Sequence, residues 1–486
     1  MNIEIKHDKL FDIDADVYII PVFKNEKIDN LIYNAKKDFI KEVNTEYKKK
    51  TYFIFEHKGK IKRIIFLGLG DRDKIDCEKI RQAAGFILKI IKDEKYENIA
   101  TFCWVKDKKI AKTQVEGFLL ADYQYDKFKT EKKDNLKRNL FIADNSLLSR
   151  KDIDEIKTIV DGVNFAKDLI NAPSNYATPS LIANEAKKIA IKNKRLKLKI
   201  YDIDGIKKLK MDAFYSVAKG SDEPAKFIVC EYNGDGNKKP LVLIGKGITF
   251  DSGGISLKPQ ATQLSKIEDM KYDMSGAACV LALMKIVSEL KLKVNIVGLV
   301  PVTENMPSGK SYKPGDIIKT LSGKTVEIIS TDAEGRLLLA DTITYSLKYK
   351  PFLIIDIATL TGACLVALGK YAIGLMGNNK EFIEKIKISG YNTGEKVWEL
   401  PLWDEYKEQI KSKIADLKNV GGGDAGTITA GMFLKEFAGE NPWLHLDIAG
   451  TAYDVKNKDY IAEGATGMGI RVIFDFIRNL KEARND

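Results

Sequence analysis

Leu241-Val242-Leu243-Ile244-Gly245-Lys246-Gly247-Ile248-Thr249-Phe250-Asp251-Ser252-Gly253-Gly254 begins with an unbroken apolar run and then turns to glycine and charge. Such a run closed by Gly is the pattern of a strand buried on both faces, as in parallel sheets covered by helices. Lys246 and Asp251 follow at its carboxyl end, the edge where open α/β sheets hold ligands. An ammonium group beside so apolar a strand is costly unless it is paired or deprotonated. Ligation of a metal by the neutral amine would meet that requirement. Gly253-Gly254 allows either a tight turn or a close approach of backbone to the charged groups.

A second cluster lies downstream, Ser330-Thr331-Asp332-Ala333-Glu334-Gly335-Arg336-Leu337. Alternate positions of an extended segment project to one side. Asp332, Glu334 and Arg336 are therefore expected to converge at the mouth of a sheet, with Leu337 to Lys348 continuing as a helix. A solvated surface turn is the plain alternative for these charges taken alone. Together with Asp251 and with Asp273 of Met270-Lys271-Tyr272-Asp273-Met274, they give four carboxylates, which two divalent cations would neutralise. Histidine cannot share this work widely, since the chain has only His7, His57 and His445. His445, in the apolar run Trp443 to Ile448, reads as a hydrogen-bonded core residue. Carboxylates with one lysine suit Mn²⁺ or Mg²⁺, and Zn²⁺ where a nitrogen joins the set.

These segments, with Ala358-Thr359-Leu360-Thr361-Gly362-Ala363 and His445-Leu446-Asp447-Ile448-Ala449-Gly450-Thr451-Ala452, resemble the leucyl aminopeptidase family of two-metal peptidases. The resemblance runs in family order from about Asp161 to the C-terminus. It implies a cytoplasmic enzyme that releases N-terminal amino acids, leucine and other apolar residues favoured, from peptides. By position, it implies metal ligands at Lys246, Asp251, Asp273, Asp332 and Glu334, with Asp251 and Glu334 shared by both ions, Mn²⁺ or Zn²⁺. It implies a catalytic pair, Lys258 on the scissile carbonyl and Arg336 holding a bicarbonate that acts as general base. It further implies a substrate pocket of Met270, Thr359, Leu360, Gly362, Ala449 and Ala452, and a homohexamer. Each pocket residue could equally belong to the core.

Three departures from the family pattern stand out. Ser330 replaces a usual Asn, and Gly423 in Gly421-Gly422-Gly423-Asp424-Ala425-Gly426 stands where an Arg is common. The segment Pro259 to Met270 is longer than usual, which brings Asp269 into competition with Asp273 as a ligand. The match of Met270 to Gly276 favours Asp273 and leaves Asp269 as a helix-end or solvated charge.

Bulk properties set the frame. A chain of 486 residues, 44% hydrophobic and 30% charged, has room for two or three domains of a soluble globular protein. No run approaches the ~18 apolar residues of a membrane helix, and the N-terminus carries no signal-peptide core. Cys77, Cys103, Cys230, Cys279 and Cys364 are scattered and lack a CxxC pair, which fits a reducing cytosol. Net charge is +11, but Lys is spread among acids, as in Lys36-Lys37-Asp38 and Lys127 to Lys137. That reads as a solvated surface, so DNA binding is possible but not supported by the sequence. A carboxylate-built two-metal centre would also suit phosphate-ester hydrolysis; a Lys ligand and an apolar pocket argue against it.

The expected architecture is α/β with two domains. Residues 1–150 should form a smaller mixed α/β domain, with strands at Val17 to Val22, Thr51 to Phe55, Ile61 to Leu67, Asn98 to Val105 and Asn139 to Ala143, and a helical stretch at Glu78 to Ile91. Gly68-Leu69-Gly70 reads as a strand-ending turn, because it lacks the third Gly of a dinucleotide fingerprint. Residues 151–172 carry apolar side chains at helical spacing and form a connecting helix. Residues 173–486 should form the larger catalytic domain, a central mostly parallel sheet flanked by helices. Its expected strands are Phe227 to Val229, Leu241 to Ile244, Val294 to Val300, Phe352 to Ile357 and Trp443 to Ile448.

Overall fold

The computed structural model describes residues 1–25, 43–131, 136–143, 147–263 and 265–480. Lys36-Lys37-Asp38 and residues 132–135 of the charged stretch lie outside them. The chain divides into two compact units, Met1–Asp161 with Lys456–Ala462, and Gly162–Val455 with Glu463–Asp486. The division falls within the helix expected to connect the domains, and Lys456–Ala462, read from sequence as part of the second domain, groups with the first.

The first unit is built on a six-stranded sheet. Its strands are β1 (Asn2–Ile5), β2 (Val17–Phe23), β3 (Lys50–His57), β4 (Lys60–Gly70), β5 (Asn98–Thr101) and β6 (Asn139–Ile142), in the order β1-β6-β5-β2-β4-β3. All neighbours are parallel except the hairpin β3/β4. Gly70 ends β4 at φ +72°, as the turn reading required. Helices α1 (Cys77–Asp93) and α2 (Lys108–Ala121) each begin at an aspartate, Asp76 and Asp107, whose carboxylate accepts a first-turn amide. Strand β5 stops at Thr101 rather than Val105. Helix α3 (Arg150–Asn171) follows at the place of the expected connecting helix.

The second unit holds a nine-stranded sheet. Its strands are β7 (Leu196–Tyr201), β8 (Lys226–Asn233), β9 (Leu241–Gly245), β10 (Gly247–Asp251), β11 (Asn295–Asn305), β14 (Leu353–Ala358), β15 (Ile373–Gly377), β16 (Val397–Glu399) and β18 (Trp443–Asp447); β12 (Ile317–Lys319), β13 (Thr325–Glu327) and β17 (Leu417–Lys418) form a separate small sheet. The main order is β16-β15-β18-β14-β9-β11-β8-β7, with β10 paired to β11. The central strands β18, β14, β9 and β11 are parallel, so their carboxyl ends share one edge. Every residue of β9 is buried, because helices cover both faces. Leu337 to Ala340 of α5 (Gly335–Ser346) join Val242, Ile244, Val297 and Leu299 in one core cluster. On the opposite face, Gly298 leaves just enough room for Val280 and Met284 of α4 (Ser275–Glu289).

Candidate active site

The parallel strands deliver their chemistry to that shared edge. Lys246 interrupts what would otherwise be a continuous strand: β9 pairs with Ile296–Leu299 of β11, and β10 resumes opposite Val302. The Lys246 main chain is fixed on both sides, its N–H donating to Ile357 O at 3.1 Å and its carbonyl accepting from Ala277 N at 2.8 Å. The Lys246 side chain is buried among acids, with Nζ 2.8 Å from Asp273 Oδ2, 2.9 Å from Glu334 Oε1 and 2.9 Å from Thr359 O. Burial alone would pull this ammonium group down, but Asp273, Glu334 and Asp251 outweigh it and raise its pKa. Pairing therefore meets the requirement that the sequence posed, without the amine having to be neutral in this arrangement.

Asp251 closes β10, and its Oδ1 accepts from Gly253 N at 2.9 Å and from Asn305 Nδ2 at 2.8 Å. Gly253 and Gly254 adopt φ of +85° and +66°, and a Cβ on Gly253 would meet Asp332 Oδ1 at 3.1 Å. Left-handed backbone and close approach are both needed here, so both functions proposed for these glycines are in use. Asp273 precedes α4; its Oδ1 accepts from Thr359 Oγ1 at 2.6 Å, whereas its Oδ2 has the ion contact to Lys246 but no aligned hydrogen bond among the described residues. Asp269 takes the helix-end role, accepting from Lys266 N at 3.0 Å, and also faces the cavity.

The 330–337 segment converges by a route other than the expected one. It is a turn that runs into α5, with Glu334 at φ −78°, ψ −39° just ahead of the helix, and no extended alternation is present. Glu334 and Asp332 nevertheless meet Asp251, with one carboxylate oxygen from each lying within 4.8 Å of the others. Arg336 points from the first turn of α5 and pairs with neither acid. Its guanidinium is buried, Nε has no partner among the described residues, and desolvation draws its pKa down to about 10. Lys258 Nζ contacts Asp251 Oδ2 at 2.9 Å and Asp332 Oδ1 at 2.5 Å. Burial pushes both Asp273 and Asp332 above the usual carboxylate range, the other acids adding to the effect and the lysines opposing it. Crowded acids that resist ionisation, and an aligned bond missing at Asp273 Oδ2, fit a site built for multivalent cations.

A cavity of about 300 Å³ joins these groups. Lys246, Asp251, Lys258, Asp273, Asp332, Glu334 and Arg336 line it, as do Met270, Thr359, Leu360, Gly362 and Ala449. Ala452 does not; it is buried behind the wall, its N–H donating to Ile448 O at 2.9 Å. Sequence reading missed the stacked pair Tyr272 and Tyr453, 4.4 Å between centroids, which also lines the cavity. It missed Asp447 as well, whose carboxylate ties Leu360 N, Thr361 Oγ1 and Ala449 N together at 3.2, 2.7 and 3.1 Å. His445 is a core residue, its Nδ1 2.5 Å from Asp356 Oδ1.

The structure thus defines an α/β protein with an acidic cleft at the carboxyl edge of a mostly parallel sheet. The catalytic-domain model of the cytosol aminopeptidase family matches residues 164–474, and the model of that family's N-terminal domain matches residues 25–132. A protein of Geotalea uraniireducens (strain Rf4) named "Probable cytosol aminopeptidase" is 44% identical over 429 residues, 86% of each chain. One of the same name from Alkaliphilus oremlandii (strain OhILAs) is 40% identical, covering 99% of this chain and 100% of its own. Solved structures of the bottromycin maturation enzyme BotP, one in complex with Mn, match with a TM-score of 0.86 at 27% identity, over 96% of this chain and 100% of theirs. The chain belongs to the cytosol aminopeptidase family, and with it to the peptidases.

Proposed function

We propose that this chain is a two-metal aminopeptidase that releases N-terminal residues, leucine and other apolar ones favoured, from peptides. The observation that carries the reading is the meeting of Asp251, Asp332 and Glu334 within 4.8 Å beside Lys246 and Asp273, in a cavity that also holds Lys258 and Arg336. Lys246, Asp251, Asp273, Asp332 and Glu334 would hold two divalent cations, Mn²⁺ or Zn²⁺, and Arg336 a bicarbonate. When bound, these groups supply an acidified water, electron withdrawal from the scissile carbonyl and a base for the water's proton. Lys258 brings its ammonium to the cavity wall and would donate to the carbonyl oxygen as negative charge develops there. A planar guanidinium with an unpartnered Nε suits bidentate binding of a small oxyanion. Met270, Leu360 and Ala449 give the wall an apolar stretch that receives an aliphatic side chain, while the acids attract the free α-amine.

Among the described residues no helix is long and apolar enough to cross a membrane. The reading includes a cytoplasmic homohexamer acting in peptide catabolism: the relatives' names support the location, and the assembly rests on the sequence resemblance alone. The test is a panel of amino-acid anilides, their N-acetylated forms and an aryl phosphate. Cleavage of leucine anilide with no cleavage of its acetylated form is expected. Preferential hydrolysis of the phosphate would replace this reading with that of a phosphoesterase.

A further inference from the structure

The loop that carries Asp332 and Glu334 contains little that would hold it in place by itself. Asp332 has 38% of its side chain exposed, and its contacts are one ion pair to Lys258 and a backbone bond from its N–H to Ser330 Oγ. Its position therefore depends on the backbone from Ile329 to Ala333. Parallel pairing of β13 with β17 puts Glu327 opposite Lys418, and Asn419 N donates to Glu327 O at 3.0 Å. That register delivers the Asn419 side chain to the inner side of the loop, where it is fully buried. Its Oδ1 accepts from Ile329 N at 2.8 Å and from Ser330 N at 3.4 Å. Its Nδ2 donates to Ser330 O at 2.6 Å and to Ala333 O at 3.4 Å. A side-chain amide has two donors and an acceptor with two lone pairs, and here all of them serve one loop.

We propose that Asn419 is a positioning residue for cation binding: it presets the loop so that Asp332 and Glu334 face Asp251 before any cation arrives. The proposal rests on the two-metal reading. Thr331 is fixed independently from the other side, where its hydroxyl donates to Gly253 O at 2.6 Å and its carbonyl accepts from Asn305 Nδ2 at 3.0 Å. Without Asn419 the loop keeps that anchor at Thr331 and loses the side-chain bonds that tie Ile329, Ser330 and Ala333. Polar groups that orient metal ligands typically change affinity by about 10- to 100-fold when removed, because the cations must then order the loop themselves.

A matched control exists in the same domain. Asn295 makes the same four bonds to a different loop, accepting from Gly234 N and Asp235 N at 3.0 and 2.8 Å and donating to Gly236 O and Lys238 O at 2.9 and 2.7 Å. None of these residues lines the cavity. The experiment is calorimetric titration of the full-length, metal-stripped protein with Mn²⁺, alongside thermal melts without metal. Asn419→Ala should weaken Mn²⁺ binding about 10- to 100-fold, with kcat at saturating Mn²⁺ within a few-fold of the parent. Asn419→Asp preserves volume but turns an oxygen toward Ser330 O and Ala333 O, so it should fall at least as far; Asn419→Ser replaces the alanine variant if that does not fold. Asn295→Ala should melt lower yet bind Mn²⁺ as the parent does. Unchanged Mn²⁺ affinity in the Asn419 variants, or equal weakening in Asn295→Ala, would overturn the proposal while leaving the two-metal reading intact. A parent protein that takes up no divalent cation would overturn both.

Discussion

An alanine at position 335 adds one methyl group at the tightest point of the site. Its Cβ would lie 2.6 Å from Lys246 Cε and 2.8 Å from both Cδ and Nζ. Non-bonded carbons settle at about 3.5–4.0 Å, so the lysine would have to retreat by about 1 Å. A free lysine would do so at little cost, but this one is buried and held by Asp273, Glu334 and Thr359 O, each within 2.9 Å. A misplacement of about 1 Å can cost on the order of 10²-fold in rate. The backbone raises no objection, since Gly335 opens α5 and is not among the glycines with positive φ. Alanine in a helix is favoured over glycine by roughly 0.5–1 kcal/mol, which offsets part of the clash. Gly335→Ala is therefore expected to lower kcat/KM for leucine anilide about 100-fold, with only a small change in the Tm of the metal-free protein. Steady-state kinetics and a melt on the same preparation decide the matter. A kcat/KM within threefold of the parent would show that the rate does not depend on where Lys246 sits.

Further expectations follow from the same geometry. Lys258→Ala should reduce kcat by roughly 10²-fold or more, as loss of an oxyanion donor does, while metal analysis still finds the parent's content; loss of a cation would move Lys258 into the ligand set. Asp273→Asn should lower metal occupancy and Asp269→Asn should not, and the reverse result would shift the ligand to Asp269. Asp341 lies in α5 outside the site, where burial pushes its pKa up to about 7 against bonds from Leu321 N and Phe214 N. The unfolded value is about 3.9, so the stability that this carboxyl contributes is full below about pH 4 and is lost as pH rises through about 7. The Tm should fall between those limits in the parent and fall less in Asp341→Asn; parallel profiles would refute the assignment.

How much of this was legible in the sequence depended on whether burial left a local pattern. The strands β9, β11, β14 and β18 are buried almost throughout and read as predominantly apolar runs, unbroken only in β9. Strand β7, Leu-Lys-Leu-Lys-Ile-Tyr, sits at the sheet edge; its alternation is a strand pattern, but a short one with no continuous apolar run, and it went unread. Helix α2 begins Lys-Lys and mixes polar with apolar residues, so its period was masked. In the site, the acids and lysines announced themselves by motif, yet Asp332, Glu334 and Arg336 meet the cavity from a turn and a helix, not from a strand. Ala452 shared a motif with Ala449 and was placed in the pocket, but the chain turns after Ile448 and takes it behind the wall. Asn305, Asn419 and Asp447 were invisible because each acts chiefly on backbone or side chains far away in sequence, Leu360 and Thr361 in the case of Asp447. Such a role leaves neither a period nor a spacing to read.

The proposed chemistry requires two cations held by this cluster. The direct measurement is a titration of metal-stripped protein with Mn²⁺, following bound metal per chain and leucine-anilide hydrolysis in the same samples. The stripped protein is expected to be inactive, uptake to saturate at two ions per chain, and activity to reach its maximum only with the second. Full activity in protein shown to be free of metal, or saturation at one ion with activity complete, would contradict it.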